Sequence, residues 1–323
     1  FVNYSNPMTV NCWAVRAATG LTMIGLCHGV YSVERELAGF IGAPAHEVTS
    51  WYAGVNHLTF FLDLHWRGRD AWPLVRARVA RERGAAVDEA SLAAFADEQP
   101  CPSAHFCVAE NPFSWSLFDT YGAYPAVNDR HAVEFFPEQF PRGQYYGKTL
   151  GLDAFSFEDT IAQGDRIYAE MRAQARGEQA LDARLMERGA GEHEQLVAIM
   201  KSIAYDERRI FSTNLPNEGA VPNLPADAII ELPAVACARG MVPLRMPALP
   251  DALAEVLTVK IAAARLTVEA ALQCDRARLN DALLADGAVN QPEAARALAE
   301  ELLHAQRPHL PEQWFTHLPG SIS

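Results

Sequence analysis

The sequence predicts an α/β fold that ends in a helical carboxyl-terminal part, on three observations. Short apolar runs alternate with helix-periodic stretches from Phe1 to about residue 83. Two apolar runs at 228–237 and 241–246 flank Arg239-Gly240 as a hairpin would. From Asp251 onward the apolar spacing is helical, over 251–274, 275–285 and 291–306.

Each element follows from local chemistry. Asn6 or Ser5 can cap the first helix, and Pro7 suits its first position. Val10, Trp13, Ala14 and Ala17 then recur at helical spacing until Gly20. Leu21 to Leu26 reads as a short buried strand with Cys27 at its carboxyl end. Val30 to Ile41 is a helix with Val33, Leu37 and Phe40 on one face. Residues 48–53 and 58–66 are strands, Arg67-Gly68-Arg69-Asp70 is a turn, and a helix covers 71–83. Residues 84–112 are turn-rich, with short helices. The aromatic, Pro- and Gly-rich segment 118–146 reads as an irregular loop packed by its own rings, of the kind that also lines active sites. Helices at 157–176 and 192–205 flank a charged, exposed stretch, and Arg209 to Thr213 is a strand leading into Asn214 and Asn217.

Composition narrows the function. The chain has 323 residues, half of them hydrophobic and 21% charged, which fits a globular protein with a sizeable core. A net charge of −13 argues against nucleic acid or an anionic membrane as partner. The cysteines are sparse and include no Cys-x-x-Cys pair, which fits a reducing cytoplasm better than a disulfide framework. No run of 18 apolar residues occurs. Phe1-Val2-Asn3-Tyr4 reads as the tail of a strand already under way, so a preceding segment is expected.

Two stretches carry the chemistry: Gly25-Leu26-Cys27-His28-Gly29 and Gly54-Val55-Asn56-His57. Thiolate and imidazole are transition-metal ligands. Two protein ligands leave positions open for substrate or water, as a catalytic metal needs. A buried cysteine is more often a small hydrophobe, so spacing alone does not decide.

With "NYSNPM", "GLCHGV", "AGVNH", "YGAYP" and "NLPNEG…LPADAIIELPAV" in this order, the chain resembles glycoside hydrolase family 4. These glycosidases depend on NAD and manganese and stand outside the usual two-carboxylate scheme. The resemblance implies the remainder of a Rossmann-like nucleotide-binding domain, residues 1–57. A substrate and metal domain, 58–323, would follow, with a lactate/malate dehydrogenase-like carboxyl-terminal fold. It implies Cys27 and His57 as metal ligands, Asn6 and Asn56 as sugar contacts, and Tyr121 as the base at C2. Tyr124 is the fallback base and His28 the next candidate. Asp129, Arg130, His131, His193, Glu194, Asn214 and Asn217 are read only as loop polar residues. The family's glycine-rich pyrophosphate loop has no counterpart, since no G-x-G-x-x-G occurs.

The implied reaction is hydride removal from C3 of an α-hexoside by NAD, proton removal at C2, elimination, water addition and hydride return. "Cys-His-Gly" resembles the branch acting on unphosphorylated α-galactosides or α-glucosides. An α-galacturonidase or α-glucuronidase is the alternative, with Arg130 or Arg142 as carboxylate partner. A plain NAD-dependent dehydrogenase and a chain inactive by itself are further alternatives. The expected partners are a small α-glycoside and further copies of the chain.

Overall fold

A βαβ unit opens the molecule. Strand β1 (Val2–Asn3) pairs parallel with β2 (Ile24–Gly25) across helix α1 (Met8–Thr19). Helix α1 stops where expected, at Gly20 in the left-handed conformation (φ 69°), whose amide donates to the Arg16 carbonyl. Pro7 precedes the helix, and the Asn6 side chain accepts the Met8 amide at 3.3 Å. The computed structural model describes residues 1–98, 106–181 and 195–316.

Helix α2 (Gly29–Ile41) follows, then strands β3 (Val48–Val55), β4 (Leu58–Trp66) and the short return β5 (Arg69–Asp70). Next come helices α3 (Trp72–Glu82) and α4 (Pro112–Tyr121), β6 (Tyr124–Pro125) and α5 (Asn128–Ala132). A small hairpin, β7 (Gln144–Tyr145) and β8 (Lys148–Thr149), precedes α6 (Phe157–Ala175) and α7 (Gln195–Tyr205). Strands β9 (Arg209–Pro216), β10 (Ile229–Cys237) and β11 (Gly240–Pro243) complete the sheet. Helices α8 (Asp251–Gln273), α9 (Arg276–Asp286) and α10 (Pro292–Gln306) then close the chain's main elements.

One mixed sheet runs β1-β2-β9-β10-β3-β4-β5, with β11 on β10 and β6 on β4. Beyond the β1–β2 pair its ladders are antiparallel. The alternation of strand side chains sorts the core into two layers. Phe60 packs with Leu117, Leu253 and Leu257 on one face; its neighbour Phe61 packs with Phe40, Trp115 and Tyr124 on the other. Both phenylalanines are fully buried, and each such ring contributes about 2–3 kcal/mol by leaving water.

The mixed α/β class and the three late helices match the sequence reading, and two details differ. Of 21–26 only Ile24–Gly25 is paired, because β2 meets β9 at a single register position. The segment 118–146 is not an irregular loop. Its rings build the core, with Tyr124–Pro125 pairing to Phe61–Phe60. In 84–112 the short helices expected are present among the described residues, as 3-10 helices at Glu89–Phe95 and Val108–Glu110. Residues 99–105, and the start of the helix expected from 192, lie outside the described residues. The expected domain division after residue 57 falls in the turn of the β3–β4 hairpin and marks no break in the sheet. No helix among the described residues is long and apolar enough to cross a membrane.

Candidate functional site

One register row across the sheet joins the two motif stretches: Gly25 faces Asn214, Asn214 faces Glu231, Glu231 faces Gly54, and Gly54 faces Thr59. Gly54 is a glycine because the next strand crosses it closely. A Cβ there would stand 2.3 Å from the Leu58 carbonyl oxygen. Gly29 has a similar reason: its Cβ would meet Val127 Cγ1 at 2.6 Å and the Ala126 oxygen at 2.9 Å. The start of α2 is thus seated against residues 126–127, beside Cys27.

Cys27 is half-buried. Burial first, then the Glu231 charge, pushes its thiol up to about 11, while the Gly29 amide, the Asn56 side chain and the His28 amide pull the other way. These donors favour a thiolate once a cation offsets the burial. His57 lies in the two-residue turn between β3 and β4, at φ 65°. Holding a side-chain-bearing residue where glycine is easier is strain of the kind retained at functional sites. Burial, and then the neighbouring His131, lowers His57 to about 4, with Glu134 opposing, so the ring is a neutral nitrogen ligand at pH 7.

The Asn56 amide reaches toward Cys27 and Glu231, yet its buried Nδ2 closes no regular hydrogen bond among the described residues. Asn214 Oδ1 is buried and unpartnered in the same sense, although its Nδ2 donates to the Gly25 carbonyl at 3.4 Å. Buried polar atoms left this way invite a ligand. Among the described residues no third Cys, His, Asp or Glu joins a metal-holding cluster. A cation on Cys27 and His57 would therefore need oxygen ligands from substrate or water. The donor set fits a catalytic metal with open positions, not a closed structural site.

Four residues of the site went unassigned in the sequence. The His131 ring stacks on His57, centroids 4.2 Å apart and planes 20° apart, and its Nδ1 is 3.1 Å from Glu134 Oε1. Asp129 aims this segment. Its buried carboxylate accepts the Phe113 amide at 2.9 Å, the Ser114 amide and hydroxyl at 2.6 Å each, and the Tyr145 hydroxyl at 2.5 Å. Glu231 is fully buried and accepts the Thr59 hydroxyl at 2.7 Å. The signals were the i, i+3 spacing of His131 and Glu134, and one carboxylate within an otherwise apolar strand.

Asn6 is exposed beyond β1, next to the chain entering Cys27, since Leu26 donates to the Asn3 carbonyl. His28 precedes α2, with the Tyr4 ring 5.8 Å away. The two tyrosines take part in core packing, Tyr121 at the edge of one layer and Tyr124 within the other. Tyr121 ends α4 and packs on Phe60, while Thr59, reaching Glu231, points to the other face. Burial and Glu138 raise the Tyr121 phenol, the wrong direction for a base at neutral pH. Tyr124, the fallback, is corrected to a core residue. It is fully buried among Trp115, Phe118 and Phe106, and its hydroxyl donates to Asn128 at 3.0 Å. His193 and Glu194 lie outside the described residues.

Beside His131 opens a cavity of about 370 Å³ lined by Arg130, Glu134, Phe140, Leu150 and Phe157. Arg142, the other arginine considered, is exposed at φ 57° in a turn.

Comparison with known proteins fits this geometry. The chain is 26% identical to an alpha-galactosidase of Rhizobium meliloti (strain 1021), over 97% of this chain and 61% of that protein. It is 29% identical to an alpha-galacturonidase of Bacillus subtilis (strain 168), over 88% of this chain and 63% of the relative. The chain thus spans a little over three-fifths of each relative's length. A crystal structure of a 6-phospho-alpha-glucosidase from gut microorganisms, in complex with NAD and Mn2+, superposes with a TM-score of 0.70 at 18% identity, over 96% of this chain and 67% of the other. Residues 1–43 match the family 4 glycosyl hydrolase model, and residues 52–289 match the model of that family's carboxyl-terminal domain. With most of its length under these two models, the chain belongs to the family 4 glycosyl hydrolases.

Proposed function

We propose that this chain forms the sugar- and metal-binding part of an NAD- and manganese-dependent α-glycosidase acting on unphosphorylated α-galactosides or α-glucosides. One observation carries the reading: a half-buried thiol and a neutral imidazole share a neighbourhood with the unpartnered Asn56 amide, in a chain of this family. Cys27 and His57 would hold the cation. When bound, it supplies Lewis acidity to sugar oxygens. Asn56 and Asn6 orient hydroxyls. His131, its Nδ1 against Glu134, takes the proton-carrying role first given to Tyr121, because it stacks on the ligand His57. The glycine-rich pyrophosphate loop is not among this chain's residues, so its side chains are assigned to the sugar end of the reaction alone.

The test is incubation of the complete enzyme with NAD, manganese and nitrophenyl α-hexosides. Sugar release without net NADH is expected. Stoichiometric NADH would make the protein a dehydrogenase, and neither outcome would leave an inactive chain. Arg130, lining the cavity next to His131, favours a uronide as the second reading. An α-galacturonide that outcompetes the neutral sugar, and loses that advantage in Arg130→Gln, would establish it.

Metal binding should show its ligands by pH. Cys27 must release a proton to bind, whereas His57, at about 4, is already neutral. Manganese uptake is therefore expected to release about one proton, with apparent affinity rising about tenfold per unit between about pH 6 and 9. Cys27→Ser should flatten that slope, and His57→Ala should weaken binding without changing it. A parental slope in Cys27→Ser would remove Cys27 from the ligand set.

A further inference from the structure

A second cavity, of about 410 Å³, opens beside the first two turns of α2. That volume suits a small molecule. Tyr52 and Ser212 form its floor, two residues along from Gly54 and Asn214 and so on the same face of the sheet. Both are buried, and the Tyr52 phenol is hydrogen-bonded to the Ser212 side chain. Ser212 Oγ also lies 3.5 Å from Glu231 Oε1, so the floor adjoins the row that leads to Cys27. Glu34 enters from α2, half-buried, and its carboxylate accepts the Ser50 hydroxyl. A carboxylate offers about four acceptor sites, and burial raises the Glu34 pKa above its ordinary 4.5 with Ser50 opposing, so further donors would stabilise it. The rim carries Gln195 and the exposed Arg209, whose guanidinium stands 5.3 Å from the centre of the Phe211 ring. Half-buried Tyr31 forms a wall on the α2 side.

We propose that this cavity binds a neutral hexose ring, with Glu34 and Arg209 on its hydroxyls and Tyr31 against its C–H face. The lining excludes the other classes by charge and polarity. A phosphate or carboxylate would meet the like charge of Glu34, and an organic cation that of Arg209. An apolar ligand would leave Glu34, Ser212 and Gln195 facing it without partners. A hydroxyl both donates and accepts. A ring that bears several therefore gives Glu34 its donors and Arg209 its acceptors, in hydrogen bonds strengthened by the protein's charges. Tyr31 and Phe211 supply the apolar wall that such a ring also needs. The chain's membership of the family 4 glycosyl hydrolases makes sugar rings its working chemistry. None of these groups is Cys27, His57 or their metal, so the inference stands apart from the proposed metal site. The hexose has two sources: the leaving group of a bound glycoside, reaching past Ser212, or a free sugar.

Calorimetric titration of galactose and of glucose into the full chain, without NAD or manganese, tests it. Saturable binding of at least one sugar is expected, and it should persist in His57→Ala. Glu34→Gln keeps the side chain's shape and its bond to Ser50, and Tyr31→Ala removes a ring outside the core. Each should weaken binding about tenfold with unchanged circular dichroism. No saturable binding to the parent, binding lost in His57→Ala, binding unaltered in both cavity variants, or free leucine bound more tightly than either sugar would each overturn the proposal. Kinetics of the complete enzyme then name the source. If the hexose is a leaving group, Glu34→Gln raises KM about tenfold for an α-galactosyl-hexose disaccharide and leaves nitrophenyl α-galactoside unchanged. If it is a free sugar, Glu34→Gln changes neither KM. A complete enzyme that cleaves no glycoside would defeat the proposed function, and the titration would still decide this site.

Discussion

Glu231→Ala is expected to destabilise the protein by about 3–5 kcal/mol. The carboxyl group has no exposure and sits mid-sheet, where it accepts the Thr59 hydroxyl at 2.7 Å and lies near Ser212, Asn56 and Asn214. Truncation leaves these donors unpaired in a cavity that cannot collapse, since Gly54 already has its neighbour's backbone against it. Burial raises the Glu231 pKa above its ordinary 4.5, and the hydrogen bonds oppose it. A folded pKa above the unfolded one means the unfolded chain gives up the proton first. This group's contribution is therefore present below pH 4.5 and is lost as pH rises toward the folded value. Glu231→Gln copies the protonated acid and does not titrate. It is expected to stay within about 1 kcal/mol of the parent at low pH and to gain relative to it as pH rises. Urea unfolding of the three proteins at acidic and mildly alkaline pH decides this. Equal losses in Gln and Ala would mean that charge, not shape, is what the site holds.

The contrast between Glu231 and His57 shows what a linear sequence carries. Cys27 and His57 stood out as candidates because both lie within short motifs whose glycines have local causes: close approach at Gly54 and at Gly29. Helices were legible where a cap and a periodic face coincide, as at Gly20 and in Gly29–Ile41. Glu231 is 174 residues after His57, and only sheet register places it on the row with Gly54. His131 depends on a carboxylate, Asp129, that anchors α5 to the first turn of α4. Aromatic content misled at 118–146, because the rings that suggest a binding loop also suit a core. Nothing in the local pattern distinguishes the two until Tyr124 pairs with Phe61.

Tyr124→Ala is expected to cost about 3–5 kcal/mol, and Tyr124→Phe only about 1 kcal/mol. The ring has no exposed surface and touches Trp115 at 4.6 Å between centroids, with Phe118 and Phe106 farther out. Its removal opens a cavity in one of the two core layers. The hydroxyl alone contributes the bond to Asn128 Oδ1, and Asn128 keeps its second anchor, Glu36, at 2.7 Å. A base would show the opposite pattern: Phe would fold normally and turn nothing over. Burial first, and then the Asp129 and Glu36 charges, hold the phenol protonated at any working pH, so no such loss is expected. The discriminating partner is His131→Gln, exposed enough to spare the fold and expected to lower turnover by about a hundredfold or more. Thermal unfolding and turnover by the complete enzyme, measured together, separate the roles. A folded Tyr124→Phe without activity, beside an active His131→Gln, would return the proton transfer to the tyrosine and make its burial the feature to be explained.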